Sequence, residues 1–154
     1  MLNTSPYPRM AIALMSLIGL FDALYLSLER LTGGALVCPV GGGCETVQSS
    51  AYAIMLGAPV AYIGVAGYAA ILVAALLALN LERVAGIPLD ALLLVLGSVA
   101  LLAGIYFSYL QVAVIGAICF WCVVAALLDL GIWAAALISW RATRASPPVS
   151  PRQT

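Results

Sequence analysis

Four apolar runs separated by polar breaks set the pattern of this chain. They cover residues about 10–28, 59–79, 91–114 and 119–140, and the first is interrupted only by Asp22. Each has about the 20 residues that a helix needs to cross a bilayer. A basic flank before an apolar run is also how a signal peptide begins. Here the run is long enough to span, and no small-residue cleavage site precedes Glu29-Arg30. Residues 31–58 form the one long polar segment, with Gly33, Gly34, Pro39 and the run Gly41-Gly42-Gly43. Within it, residues 45–53 predict a short helix lying at the membrane interface. Gly57-Ala58-Pro59 closes the loop, and Pro59 suits the first turn of the next helix. The remaining connections, residues 80–90 and 115–118, are short, which makes neighbouring helices antiparallel. The expected fold is an all-α integral membrane protein. Its four-transmembrane-helix antiparallel bundle forms one domain over residues 1–140, with a long outer loop between helices 1 and 2. Residues 141–154, rich in Arg, Pro and Ser/Thr, predict a disordered cytoplasmic tail.

Composition supports that picture. Of the 154 residues, 65% are hydrophobic and 8% charged, against about 25% charged in soluble domains. A soluble fold of this size has too little interior to hide so much apolar surface. The net charge is zero, so there is no basic footprint for nucleic acid. The chain has no lysine and no histidine, which removes the commonest general base and the commonest metal ligand. Chemistry must come from thiols, carboxylates, tyrosines or a bound cofactor. The arginines give orientation. Arg9, Arg83, Arg141, Arg144 and Arg152 fall on one side and Arg30 on the other. By the positive-inside rule both termini are cytoplasmic. Cys38, Cys44, Cys119 and Cys122 then all lie on the outer face, where disulfides persist.

Those four cysteines are the candidate chemistry. Cys119-Phe120-Trp121-Cys122 opens the fourth apolar run. A helix N-terminus has unpartnered amide groups and partial positive charge, and both favour a thiolate. Residues three apart share a helix face, so these sulfurs can pair, with Cys122 about 4.5 Å deeper. Cys38 and Cys44 are separated by Pro-Val-Gly-Gly-Gly, a segment with little conformational preference that can close on itself or open. The arrangement suggests a relay. A soluble thiol attacks Cys38, Cys44 exchanges with Cys119, and Cys122 passes electrons to a lipid-soluble oxidant such as a quinone held in the bundle. Thiol–disulfide exchange needs no external base. Whether a Cys44–Cys119 bridge or two local bridges dominates at rest stays open.

The cysteine pairs, Gly43-Cys44-Glu45-Thr46-Val47-Gln48-Ser49-Ser50-Ala51-Tyr52, Gly57-Ala58-Pro59 and Tyr109-Leu110 together carry a resemblance over about residues 10–140. The chain resembles bacterial members of the vitamin K epoxide reductase family. That resemblance implies a four-helix bundle around a quinone, with Cys122 proximal to it and Cys119 its partner. It further implies that Cys44 shuttles to Cys119, Cys38 meets a thioredoxin-like protein, and Ser50 helps position the loop. The implied role is reoxidation of a periplasmic disulfide-forming protein in the bacterial inner membrane. Some relatives carry a fused thioredoxin-like domain; this chain ends in a short tail, so a separate partner is expected. Animal enzymes have tyrosine where Ala126 stands, which favours ubiquinone or menaquinone over epoxide.

Other readings compete. Zinc wants four ligands at knuckle spacing, and the loop pair is a poor second knuckle. A scaffold with two structural disulfides is the main alternative. A second four-helical family of thiol oxidases carries its C-x-x-C in the first loop, the reverse of the order here. Among secondary residues, Asp22 is a candidate for proton supply and Tyr109 for a quinone hydrogen bond, placed better than Tyr62 or Tyr106. Asp129, about 10 Å beyond Cys122, reads as a hydrogen-bonded residue facing a neighbouring helix. Trp121 and Trp140 read as interface anchors.

Overall fold

A computed structural model describes residues 6–145. Its long helices are α1 (Tyr7–Thr32), α3 (Val60–Asn80), α4 (Leu89–Tyr109) and α5 (Phe120–Ala145). A π-helical turn, Leu110–Ile115, prolongs α4. These four helices are long and apolar enough to cross a membrane. They pack in a ring in which α1 touches α3 and α5, and α4 touches α3 and α5. Apolar side chains such as Leu14, Phe21, Leu102 and Leu127 point outward, each at least 60% exposed, as lipid-facing positions should be. The expected four-helix bundle is the observed fold.

Helix ends differ from the expected ones for local reasons. Helix α1 starts at Tyr7 because Pro8 sits in the first turn, where its missing N–H costs nothing. It runs past Glu29-Arg30 to Thr32, where Gly33 adopts φ 67° and its N–H closes on the Glu29 carbonyl, the usual glycine stop. Helix α5 continues to Ala145, so Arg141 and Arg144 are helical, not part of a tail. Cations in a last helical turn favour the dipole, and Arg144 stacks on Trp140 at 4.1 Å. The rest of the predicted tail, residues 146–154, lies outside the described residues.

The predicted interfacial helix is α2 (Cys44–Gln48), followed after Ser49-Ser50 by a 3-10 turn, Ala51–Ala53. Two small hairpins were not expected. Strands β1 (Ile54–Met55) and β2 (Ala58–Pro59) pair antiparallel, as do β3 (Arg83–Val84) and β4 (Ile87–Pro88). Each turns on two residues with positive φ, Leu56-Gly57 and Ala85-Gly86, the backbone that two-residue hairpin loops require. Each ends on a proline that precedes the next span. The same device feeds α3 at one end of the bundle and α4 at the other.

The end bearing the hairpin β3–β4 is packed solid. Ile12, Ile71, Leu93, Ile132 and several alanines fill the space between the helices there. A polar staple lies beside them. Arg9 donates to Asp90 at 3.0 and 2.6 Å and to the Ala78 carbonyl at 2.7 Å. Ser139 and Thr143 donate to the same carboxylate at 2.7 and 2.8 Å. All four long helices contribute. Asp90, expected in a polar turn, is buried in the first turn of α4. Arg9 is buried too, so its charge is neutralised within the bundle rather than displayed at the surface.

Candidate active site

At the opposite end the two cysteine-bearing segments come together. Cys38 and Cys44 form a disulfide, while Cys119 and Cys122 are free thiols. Cys44 and Cys119 are both fully buried, in one cluster with Val47, and Cys38 and Cys122 pack against it. Cys38 is half-buried. The sulfurs therefore grade from a partly exposed one in the loop, through two buried ones, to Cys122 in the wall of a cavity.

Specific contacts fix that arrangement. Gly41 and Gly42 have φ 82° and 63°, a left-handed backbone that glycine adopts without penalty, and this closes the small disulfide ring. Gly43 serves a different end. A Cβ there would lie 2.5 Å from the Ile118 carbonyl oxygen, so only glycine lets the residue before Cys44 touch the residue before Cys119. The glycines thus set shape and close approach. Val37, next to Cys38, is held at both backbone groups. Its N–H donates to the Tyr25 hydroxyl at 3.2 Å, and its carbonyl accepts the Trp121 indole N–H at 2.9 Å. Tyr25 and Trp121 also pack ring to ring at 5.1 Å. Trp121 is thus the clasp over the loop, not a simple interface anchor.

Cys119 sits at the N-cap of α5, its carbonyl accepting the Val123 N–H at 3.1 Å. Its own N–H donates to the Gln111 side-chain oxygen at 2.7 Å. The π-helical turn, a distortion frequent at functional sites, carries Gln111, whose carbonyl also accepts the Ala117 N–H at 3.1 Å. The Cys122 thiol donating to Cys119 is the main influence on its acidity. With the amides of Cys122 and Trp121 it outweighs burial and lowers the Cys119 thiol to about 6. An N-cap side chain facing the first helical amides is the usual way to stabilise such an anion. Cys119 is therefore the more acidic thiol of the pair, its anion favoured by Cys122.

Beneath Cys122 the bundle opens into a cavity of about 280 Å³, near the low end of ligand pockets at ~300–1,000 Å³. Its wall is mostly apolar, with polar groups from Gln48, Ser50, Gln111, Asp22, Tyr68 and Asp129. Gln48 reaches Cys122 at 3.8 Å, and its carbonyl is held by Arg30 at 2.6 Å. Ser50 lines the cavity and donates to the Val47 carbonyl at 2.7 Å, tying down the end of α2. Asp22 lines the cavity as well. Tyr109 does not; it is 62% exposed on the outside of α4.

Three residues of this wall escaped the sequence reading. Gln111 is a polar residue inside an apolar run, which is a usable signal, and Gln48 is one of several polar residues of the loop. Tyr68 gave none, being one tyrosine among several. Asp129 was expected to face only a neighbouring helix. It does accept from Tyr68 at 2.8 Å, but it also lines the cavity, because Gly104 leaves room for it. A Cβ at Gly104 would lie 3.1 Å from Asp129 Oδ2.

A dithiol, a neighbouring disulfide and an apolar cavity thus come together within one membrane bundle. The comparison with known families is specific: the vitamin K epoxide reductase family matches residues 10–137. The chain belongs to that family and is a multi-pass membrane protein. It is also 40% identical over 50 residues to the thiol-disulfide oxidoreductase LTO1 of Arabidopsis thaliana. That stretch is 32% of this chain and 13% of the relative, so the chain spans a small part of the relative's length.

Proposed function

We propose that this protein is a thiol:quinone oxidoreductase that generates disulfides for a thioredoxin-like partner. The observation that carries the reading is the grading of the four sulfurs, from half-exposed Cys38 to Cys122 in the cavity wall. The partner's thiolate attacks Cys38 and releases Cys44. Cys44 attacks Cys119 of an oxidised Cys119–Cys122 bridge and frees Cys122. The partner's second thiol completes its own disulfide and frees Cys38, which attacks Cys44, re-forms the loop disulfide and releases Cys119. The resulting Cys119–Cys122 dithiol is then oxidised again at the cavity. Each exchange moves two electrons inward by thiolate attack on a disulfide sulfur, with no external base.

The cavity fits a quinone headgroup: apolar walls, a few convergent polar side chains, and a thiol at one end. When bound, a quinone supplies a two-electron acceptor soluble in lipid. Gln48, Gln111 and Ser50 are the residues that would hold it near Cys122, and ubiquinone or menaquinone is the class we favour. Ala126 in the wall offers no hydroxyl for animal-type vitamin K recognition. The cysteine end faces the periplasm in this reading, supported by Arg83, Arg141 and Arg144 at the other end. A scaffold with two structural disulfides would have no use for a reduced Cys119–Cys122 pair.

The test is a cysteine series in a dithiol-driven quinone reduction assay. Cys119→Ala and Cys122→Ala should each abolish turnover. Cys38→Ala should block exchange with a thioredoxin-like protein but leave oxidation of a small dithiol. Normal turnover in Cys122→Ala would sink the mechanism.

A further inference from the structure

The wall of the cavity carries polar groups that the cysteine relay does not use. Asp22 of α1, Tyr68 of α3 and Asp129 of α5 all line it. Tyr68 bridges to Asp129 at 2.8 Å and to the Ala125 carbonyl at 3.3 Å. Its ring lies across Gly19, one helical turn before Asp22; a Cβ at Gly19 would overlap it. Asp22 is only 7% exposed, and its Oδ1 is buried with no hydrogen-bond partner among the described residues. The titratable groups in the wall are Asp22, Tyr52, Tyr68, Cys122 and Asp129, and no arginine is among them. An ionised carboxylate buried without a cation is costly, and a carboxyl inside a membrane span is by default a functional group. An orphaned carboxyl oxygen in a ligand-sized cavity is a hydrogen-bonding group waiting for a ligand.

We propose that Asp22 is the proton donor to the electron acceptor, set in the cavity wall together with Tyr68, Asp129 and Cys122. This rests on the thiol:quinone reading. The proton balance requires such a group. Oxidation of the Cys119 thiolate and the Cys122 thiol to a disulfide releases two electrons and one proton. A quinone takes up two electrons and two protons in becoming a quinol. The second proton comes from the Asp22 carboxyl, which is left as a carboxylate. When the Cys119–Cys122 bridge is reduced again, its two incoming electrons arrive with two protons from the partner dithiol. Cys122 keeps one, Cys119 stays a thiolate, and the other returns to Asp22. The Cys119 thiol, lowered to about 6 chiefly by the Cys122 hydrogen bond, is what leaves the dithiol one proton short.

Asp22→Asn keeps the size and a hydrogen-bonding carboxamide but carries no transferable proton. In the full-length protein it should slow quinone reduction by about 10²-fold, the scale of a lost general acid, while quinone binding stays within about threefold. Thiol trapping should show the Cys38–Cys44 exchange with Cys119 unchanged. Infrared difference spectra of the wild type on quinone addition should lose a protonated-carboxyl band, and that band should be absent in Asp22→Asn. Asp129→Asn should retain the band, and Tyr68→Phe should weaken quinone reduction without removing it. A carboxyl band and rate in Asp22→Asn equal to those of the wild type would overturn the assignment. Failure of the wild type itself to oxidise Cys119 and Cys122 with quinone would instead overturn the thiol:quinone reading.

Discussion

Cys119 and Cys122 are chemically different although three residues apart. Cys119 occupies the N-cap, where the Cys122 thiol and two amides stabilise its anion. Cys122 sits at the third helical position and faces the cavity. The difference has a consequence in pH. A nucleophile lowered to about 6 is mostly thiolate above that value and is protonated below it. In the reverse exchange, in which reduced Cys119 attacks the Cys38–Cys44 disulfide, the rate should therefore be flat from pH 8 to 7. It should fall about tenfold per unit below pH 6, since only the thiolate attacks. Stopped-flow thiol trapping across that range checks it; a continuous rise from pH 7 to 9 would mean an unperturbed thiol. That the pair lies at a helix start was legible in the sequence, because a C-x-x-C opens the apolar run; that Cys119 is the cap and not the first turn was not. Nor was the role of Trp121, because its partner Val37 is 84 residues away.

Among the elements, the helices were readable from apolar run lengths, and the errors sit at their ends. Glu29-Arg30 looked like a stop, yet the helix runs on to the Gly33 cap. Arg141 and Arg144 looked like tail, yet a cationic last turn suits a helix. The hairpins were hidden because Leu56 and Ala85 are unusual residues for positive φ and the strands have only two residues each. The staple was hidden for another reason. Arg9 and Asp90 each sit at the edge of an apolar run, where charge ordinarily marks the membrane surface. Their pairing inside the bundle joins all four long helices: the Asp90 carboxylate holds α1 and α5 to α4, and Arg9 reaches α3 at the Ala78 carbonyl. Removing one member of a buried ion pair costs about 3–5 kcal/mol. Asp90→Ala should lose that much stability in detergent unfolding, while Ser139→Ala should lose about 1 kcal/mol. Equal effects would mean that the ion pair is not what holds this end.

On the scale of the whole molecule the bundle divides its labour. The end bearing the staple is packed solid, and the other end holds the cavity under a clasped loop. The sequence carried the bundle and the four cysteines, since apolar length and thiol spacing are local signals. It did not carry the cavity, whose wall draws on every long helix and depends on glycines such as Gly104 and Gly19. Asp129 shows the limit: counting helical rise from Cys122 said nothing of the reach of the cavity toward it. The central claim is that electrons leave the Cys119–Cys122 dithiol through that cavity. The most direct measurement is an anaerobic single turnover, mixing protein reduced at Cys119 and Cys122 with one equivalent of quinone. The account predicts one quinol formed per two thiols lost, both at Cys119 and Cys122, with Cys38–Cys44 still bridged. Quinone left unreduced while the dithiol persists would contradict it.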